Sequence, residues 1–308
     1  MRPAHPYPAN PMTRILSAGL LVACLAPLTR AAEPPKPDVF ARDNLVAWCI
    51  VPFDAKKRGP AERVEMLKTL GFKKYAYDWR AEHLPTFDEE VALLQKEKIE
   101  LTAVWFPANL GPDAQKLLAV IRKHELKPQL WVTMGDPAGA DQAAKVETAA
   151  KVIRPVAEEA AKLGCTVALY NHGGWFGEPE NQVAVIEALK LKNVGIVYNQ
   201  HHGHEHFDKF PQLLKLMKPH LLALNINGSI KGGDKAGKKI VPLGAGELDL
   251  KLLAAIRDSG YGGPIGILGH TNDDAAERLA DNLDGLRWLL PQLAGAEAGA
   301  KPKYRTWK

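Results

Sequence analysis

Cysteine is scarce in this chain: three among 308 residues, at positions 24, 49 and 165, with no Cys-x-x-Cys spacing. That excludes a zinc ribbon, a thioredoxin-like redox pair and a disulfide-built scaffold. Cys49 and Cys165 lie in apolar, strand-like runs and read as buried free thiols. An excess of one charge is also missing. The formal +5 falls to +2 once residues 1–32 are set aside, because they hold Arg2, Arg14 and Arg30 and no acid. So weak a positive balance argues against a nucleic-acid surface, and against a DNA repair nuclease in particular. No apolar run is long enough to span a membrane; the longest near the start covers only residues 15–24. Finally, no glycine-rich phosphate loop follows the first strand-like run, where the turn reads PFDAKKRG over residues 52–59.

The N-terminal part carries the pattern of an export signal. Arg14 precedes the apolar run, and small residues at 31 and 32 offer a cleavage site, so residues 1–32 are expected to be a signal peptide. Met12 is an alternative start. Residues 21–24 (LVAC) also fit a lipoprotein signal, in which Cys24 would carry a lipid anchor. A proline-rich linker over 33–39 follows. An exported (periplasmic or secreted) protein meets unphosphorylated carbohydrate more readily than sugar phosphates.

From residue 40 to 292 the chain alternates between two periods. Short apolar runs at 45–51, 72–77, 99–106, 128–133, 165–170, 194–198, 221–226 and 264–268 predict strands. Segments of helical spacing lie between them, at 60–70, 87–96, 112–124, 141–163, 180–190, 206–217, 248–259 and 273–290. Eight such units in about 250 residues predict an α/β TIM (β/α)8 barrel, a single domain. An open doubly wound sheet is the runner-up, and the missing glycine fingerprint counts against it. Residues 293–308 read as a frayed, polar tail.

In a barrel, chemistry sits at the C-terminal strand ends. Here those ends are polar and aromatic: Asp78, Trp79 and Arg80; Trp105; Asn171, His172, Trp175 and Glu178; Asn199, His201 and His202; Asn225 and Asn227; His270. Four of the ten histidines fall within residues 201–206. Rings beside amides, carboxylates and imidazoles suit a small carbohydrate, which stacks its apolar face and needs fixed partners for its hydroxyls. Each has a plainer reading. Asp54 and Asp78 can cap turns, and Trp79 and Trp105 can be core. The glycine- and lysine-rich stretch 228–239 reads as a solvated loop.

The segments LYNHGGW (169–175), GIVYNQHH (195–202), LALNIN (222–227), LGAGELD (243–249) and GYGGPIGIL (260–268) resemble the xylose isomerase-like TIM barrels, the sugar phosphate isomerase/epimerase superfamily. The resemblance covers about residues 40–290. It implies proton abstraction beside a carbonyl, as in an isomerase, epimerase or keto-sugar lyase. It also implies one divalent ion, often manganese, held by Glu, Asp, His and Glu at the ends of strands five to eight. Those positions here are Asn171, Asn199, Asn225 and Leu268. Amides are weak ligands for a hard dication and leucine is none. Two rescues stand side by side. One is a rebuilt site for zinc or manganese on His172, His202 and His270, with Glu178 beside them. The other is a metal-free site. In it His172 or His202 is the base, Glu178 or Asp78 its acid partner, and Arg80 or His270 steadies the oxyanion. In both, Trp79, Arg80, Trp105, Asn171, Trp175, Asn199, Asn225, Asn227 and His270 hold substrate. A third possibility is a non-catalytic carbohydrate-binding barrel that has lost the metal. The oligomeric state is not legible.

Overall fold

In the computed structural model, residues 38–308 are described, together with residues 1, 3 and 4. The expected signal peptide and most of the expected linker therefore lie outside the described residues. Lys36–Lys308 separates from Met1–Pro35 as a unit of its own.

Among the described residues eight parallel strands close into a barrel in sequence order. They are β1 (Leu45–Trp48), β2 (Lys74–Tyr77), β3 (Glu100–Phe106), β4 (Gln129–Val132), β5 (Thr166–Tyr170), β6 (Val194–Asn199), β7 (Leu221–Ile226) and β8 (Ile265–Leu268). β1 pairs with β8 from Leu45↔Ile265 to Trp48↔Leu268, so the sheet has no free edge. The expected (β/α)8 barrel is what the chain forms.

Helices α1 (Pro60–Thr69), α2 (Phe87–Lys96), α3 (Pro112–Lys123), α4 (Gln142–Lys162), the single turn α5 (Gly174–Gly177), α6 (Pro179–Leu189), α7 (Phe210–Met217), α8 (Asp249–Ser259) and α9 (Ala275–Leu293) wrap the outside. Their ends follow local chemistry. Proline stands at the first position of α1, α3 and α6, where its missing N–H costs nothing. Asp141 and Asp274 cap α4 and α9 through the amides of Ala144 and Ala276. α7 starts later than its apolar spacing predicts, because residues 204–206 form a separate 3-10 turn.

The barrel interior is layered by size. Val46, Ala76, Ala103, Ala168, Val197 and Ala223 form a ring of small residues, and Trp48, Trp131, Tyr170 and Leu268 fill the space around them. Wide rings fit only because their facing neighbours are small.

The C-terminal tail is not frayed. The buried Asp281 carboxylate accepts the backbone N–H groups of Arg305 and Thr306 and bonds both of their side chains at 2.7–2.9 Å. Tyr304 donates its hydroxyl to Leu243 O at 2.9 Å. A buried carboxylate needs donors, and the tail supplies them. Among the described residues no helix is long and apolar enough to cross a membrane.

Candidate active site

β1 ends sharply because Cys49 turns into the left-handed region at φ 63°. That turn brings the following backbone under the end of β2. There Asp78 Oδ1 accepts the N–H groups of Ile50 (3.2 Å) and Val51 (3.0 Å). The second oxygen, Oδ2, is buried and receives no N–H or O–H bond, and the Cys49 thiol is a side-chain neighbour of the carboxyl. Asp78 is 2% exposed. Burial pushes its carboxyl up to about 7, against the opposing pull of the Val51 N–H and the Arg80 guanidinium. Burial and then the neighbouring Asp78 raise the Cys49 thiol well above its ordinary range, so Cys49 is a poor nucleophile at neutral pH.

Asp78 faces a cavity of about 60 Å³ at the C-terminal mouth of the barrel. Trp48, Trp105 and Tyr170 form its apolar floor; the Trp105 and Tyr170 rings meet edge-on at 4.9 Å. His172, His201, His202 and His270 form the wall. The His201 and His202 ring centres are 3.7 Å apart, those of His172 and His202 4.4 Å, and those of His201 and His270 5.6 Å. Phe53 packs on His270 at 3.6 Å.

The imidazoles are held neutral. Burial, then His172, lowers His202 to about 2. Burial, then Arg80, lowers His270 to about 4. Burial and Lys239 lower His172, and burial with His202 drives His201 well below its ordinary value. Clustered imidazoles cannot share positive charge in a low dielectric.

The amides of β5 to β7 have other work. Asn171 donates to Asn199 O (3.1 Å) and accepts from Asn199 N (2.7 Å), extending the ladder between the two strands with a side chain. Asn199 in turn bonds the Tyr170 hydroxyl and meets His201 Nδ1 at 2.6 Å, leaving His201 Nε2 buried without a protein partner. Asn225 lies fully buried over Gly266, where any Cβ would collide with its carbonyl oxygen, and neither of its amide atoms is bonded. Asn227 donates to Gly228 O at 2.7 Å.

Several expected site residues are not brought together. Glu178 pairs with His206 at 3.2 Å, outside the cavity wall, so it is no partner for His172. The Trp79 indole donates to Trp105 O at 2.6 Å and is buried in the core. Trp175 donates to Gln142 Oε1 at 2.8 Å. Asn171 spends both ends of its amide on backbone. Cys49, Phe53, Trp48 and Tyr170 line the cavity although the strand-end reading did not choose them, and so does His201, which it named without a role. The His201-His202 pair was visible as a dipeptide. The other four needed the turn at Cys49 and the closure of the barrel.

The family's metal does not fit here. Asn171 and Asn199 are consumed, Asn225 is an uncharged amide, and Leu268 is apolar, so no anionic oxygen points into the position. The expected set His172, His202 and His270 also lacks three ligand atoms in mutual reach. Among the described residues the group within 4.8 Å of one another is Glu178, Glu205 and His206, on the outer side of the mouth.

Comparison with known proteins places the fold. No curated protein matches the sequence. Solved structures that resemble the chain include the IolI protein with a bound zinc atom (13% identity over 81% of this chain and 99% of that one, TM-score 0.63). Two others are 3-keto-D-glucoside 4-epimerase from E. coli (15%, 80% and 98%, TM-score 0.61) and D-psicose 3-epimerase from Clostridium cellulolyticum H10 (14%, 81% and 99%, TM-score 0.58). The chain spans 44% of a further match, a fusion of a xylose isomerase-like TIM barrel with 4-hydroxyphenylpyruvate dioxygenase (15% identity, 82% of this chain, TM-score 0.60). At these identities the likeness is one of fold. The sequence itself matches the xylose isomerase-like TIM barrel model over residues 64–292. With the closed eight-stranded barrel, that match means the chain belongs to the xylose isomerase-like TIM barrel family.

Proposed function

We propose that the protein is an enzyme that moves a proton on the carbon beside a carbonyl of a small carbohydrate, as an isomerase, epimerase or keto-sugar lyase. One observation carries this reading: Asp78 lines the cavity, is buried, is poised at about 7, and has one oxygen that receives no N–H or O–H bond. A carboxyl near the operating pH is suited both to take a proton and to return it.

The roles divide by proton affinity. His202 at about 2 is too weak a base to take a proton at neutral pH, so that task passes to Asp78. The neutral imidazoles of His172, His202 and His270 donate N–H groups to the oxygen on which charge develops. Arg80 adds positive charge beside it. Trp48, Trp105 and Tyr170 exclude water and present a flat apolar surface to the substrate. A cavity of about 60 Å³ accepts a carbonyl group and its neighbours, with the remainder of the sugar lying at the mouth. No step is routed through a metal. An exported location, with an unphosphorylated substrate, belongs to the same proposal and rests on residues 12–32.

The test is hydrogen exchange. Ketoses and keto-sugar acids incubated with the protein in ²H₂O should lose the NMR signal of the C–H beside the carbonyl. Asp78→Asn, which keeps the acceptor for Ile50 and Val51, should stop that loss. Exchange that survives in the variant would remove Asp78 from the mechanism. No exchange with any of these sugars would leave a barrel that only binds.

A further inference from the structure

Arg80, which lines the cavity, and Lys239, in the segment after β7, are two exposed cations with no carboxylate within 4.0 Å among the described residues. Several other arginines pair with carboxylates: Arg58 with Asp54 and Asp274, Arg63 with Glu90, Arg305 with Asp281 and Asp284. Arg80 is instead anchored through one guanidinium nitrogen, which donates to the carbonyls of Asp78 (3.0 Å) and Trp79 (2.8 Å). The guanidinium lies 5.4 Å from the centre of the Phe53 ring, and Phe53 lines the cavity. The arm is fixed while the rest of its fork has no acceptor.

Lys239 is fixed from the other side. It lies in the segment between β7 and α8, which is pinned by the Gly228–Val241 bridge. Its carbonyl meets His204 Nε2 at 2.8 Å. The next residue, Ile240, packs on the interior cluster that contains Trp48 and Tyr170, and its carbonyl accepts from the buried Arg278 at 3.3 Å. These two contacts bring the backbone of Lys239 to the rim beside the histidines, and, on top of burial, its exposed ammonium helps to keep His172, His201, His202 and His270 neutral. The stretch 228–239 is the exposed loop its composition predicts, with its two ends held to the barrel.

Around these two cations the wall is uncharged imidazole, and the cavity holds one carboxyl, Asp78. His201, which also lines the cavity, keeps its Nε2 buried without a protein partner. A concave mouth with two unpaired cations attracts and retains an anion. We propose that the substrate is a sugar acid whose carboxylate is held between Arg80 and Lys239 while its carbonyl enters the cavity beside Asp78. A planar carboxylate matches the guanidinium fork, and the ammonium supplies the second charge. This inference rests on the reading of the cavity under Proposed function and adds the substrate's charge to it.

The test is binding, which does not depend on turnover. Calorimetric titration would compare D-glucuronate, D-galacturonate and D-mannuronate with D-glucose, D-galactose, D-mannose and D-glucose 6-phosphate at low salt. At least one uronate should bind about tenfold or more tightly than its neutral counterpart, the worth of one charge-assisted contact. Arg80→Gln and Lys239→Gln should each reduce that preference, and the double variant should abolish it. The proposal is overturned if neutral sugars bind as well as their acids, if the preference survives the double variant, if the phosphate ester binds tightest, or if none of the seven binds. Its failure is separable from that of the proton-transfer reading. Exchange confined to neutral ketoses would sink the acid and keep the enzyme; selective uronate binding without exchange would do the reverse.

Discussion

On the β5–β7 side of the barrel mouth the polar residues are absorbed by the architecture. Asn171 closes on the backbone of Asn199, Asn199 holds Tyr170 and His201, and Asn225 fills the space that Gly266 leaves open. On the β1, β2 and β8 side the polar residues stay available: Asp78 with an oxygen that receives no N–H or O–H bond, Arg80 with an unfilled fork, His270 on the wall. Three of the family's four metal positions lie on the first side, and the buried carboxyl poised near 7 lies on the second. Residue type at a strand end therefore says little until its partners are counted. An amide with both ends bonded to backbone is a piece of sheet, whereas a buried carboxyl with one free oxygen is chemistry held in reserve.

The contrast can be broken in four ways. The largest effect should come from Asp78→Asn, which is expected to lower proton exchange by roughly 10²–10⁴-fold. In the parent protein the rate should rise with pH through about 7 as Asp78 ionises, and the variant should lose that limb. An unchanged pH profile would place the base elsewhere.

Asn171→Ala should leave exchange chemistry intact but cost about 3 kcal/mol of stability, since it strands the buried N–H and C=O of Asn199. Urea unfolding measures this. A loss of activity at unchanged stability would make Asn171 a site residue after all.

The next effect is on stability against pH. His270 and His202 fall from 6.5 to about 4 and about 2, so the unfolded chain binds protons that the folded state refuses. Their contribution is present above 6.5 and is lost as pH drops toward 4. Asp78 works oppositely: its carboxyl rises from 3.8 to about 7 on folding, so its burial costs stability as pH climbs through that range. Unfolding midpoints from pH 4 to 8 should show the acid-side loss, and His202→Gln with His270→Gln should flatten it. A double variant with the parent's profile would refute the assignment.

The smallest effect expected is that of metal removal. After dialysis against manganese and zinc, His202→Ala should not change the metal retained, and chelation should leave exchange unchanged, because neither the Asn171, Asn199 and Asn225 position nor the cavity around Asp78 presents converging anionic oxygens, and the Glu178, Glu205 and His206 group lies outside that cavity. One equivalent of either metal that disappears with His202→Ala would rebuild the histidine metal site and erase the distinction between the two sides.

Much of the fold was legible in the sequence. The switch between the two periods of apolar spacing gave the order of strands and helices, and eight units in that length left the barrel as the economical closure. The candidate site was legible as a neighbourhood, because strand ends are local features and the barrel gathers them at one rim. His172, His202, His270, Asp78, Arg80 and Trp105 all reached the cavity by that logic. Glu178, Trp79 and Trp175 occupy equally suitable places in the sequence and point elsewhere, for reasons that local pattern does not contain.

What the sequence determined by itself was whatever depends on neighbours along the chain: the periodicity, the proline and aspartate starts of helices, and the absence of charged metal ligands at the expected strand ends. What only the tertiary structure decided was whatever depends on neighbours through space. The left-handed turn at Cys49 brings two amides under Asp78, burial and then neighbouring positive charge keep four imidazoles neutral, and the segment after β7 ties the Lys239 carbonyl to His204. A proton affinity or a free hydrogen-bonding valence is a property of surroundings, and in this barrel those surroundings come from strands far apart in sequence.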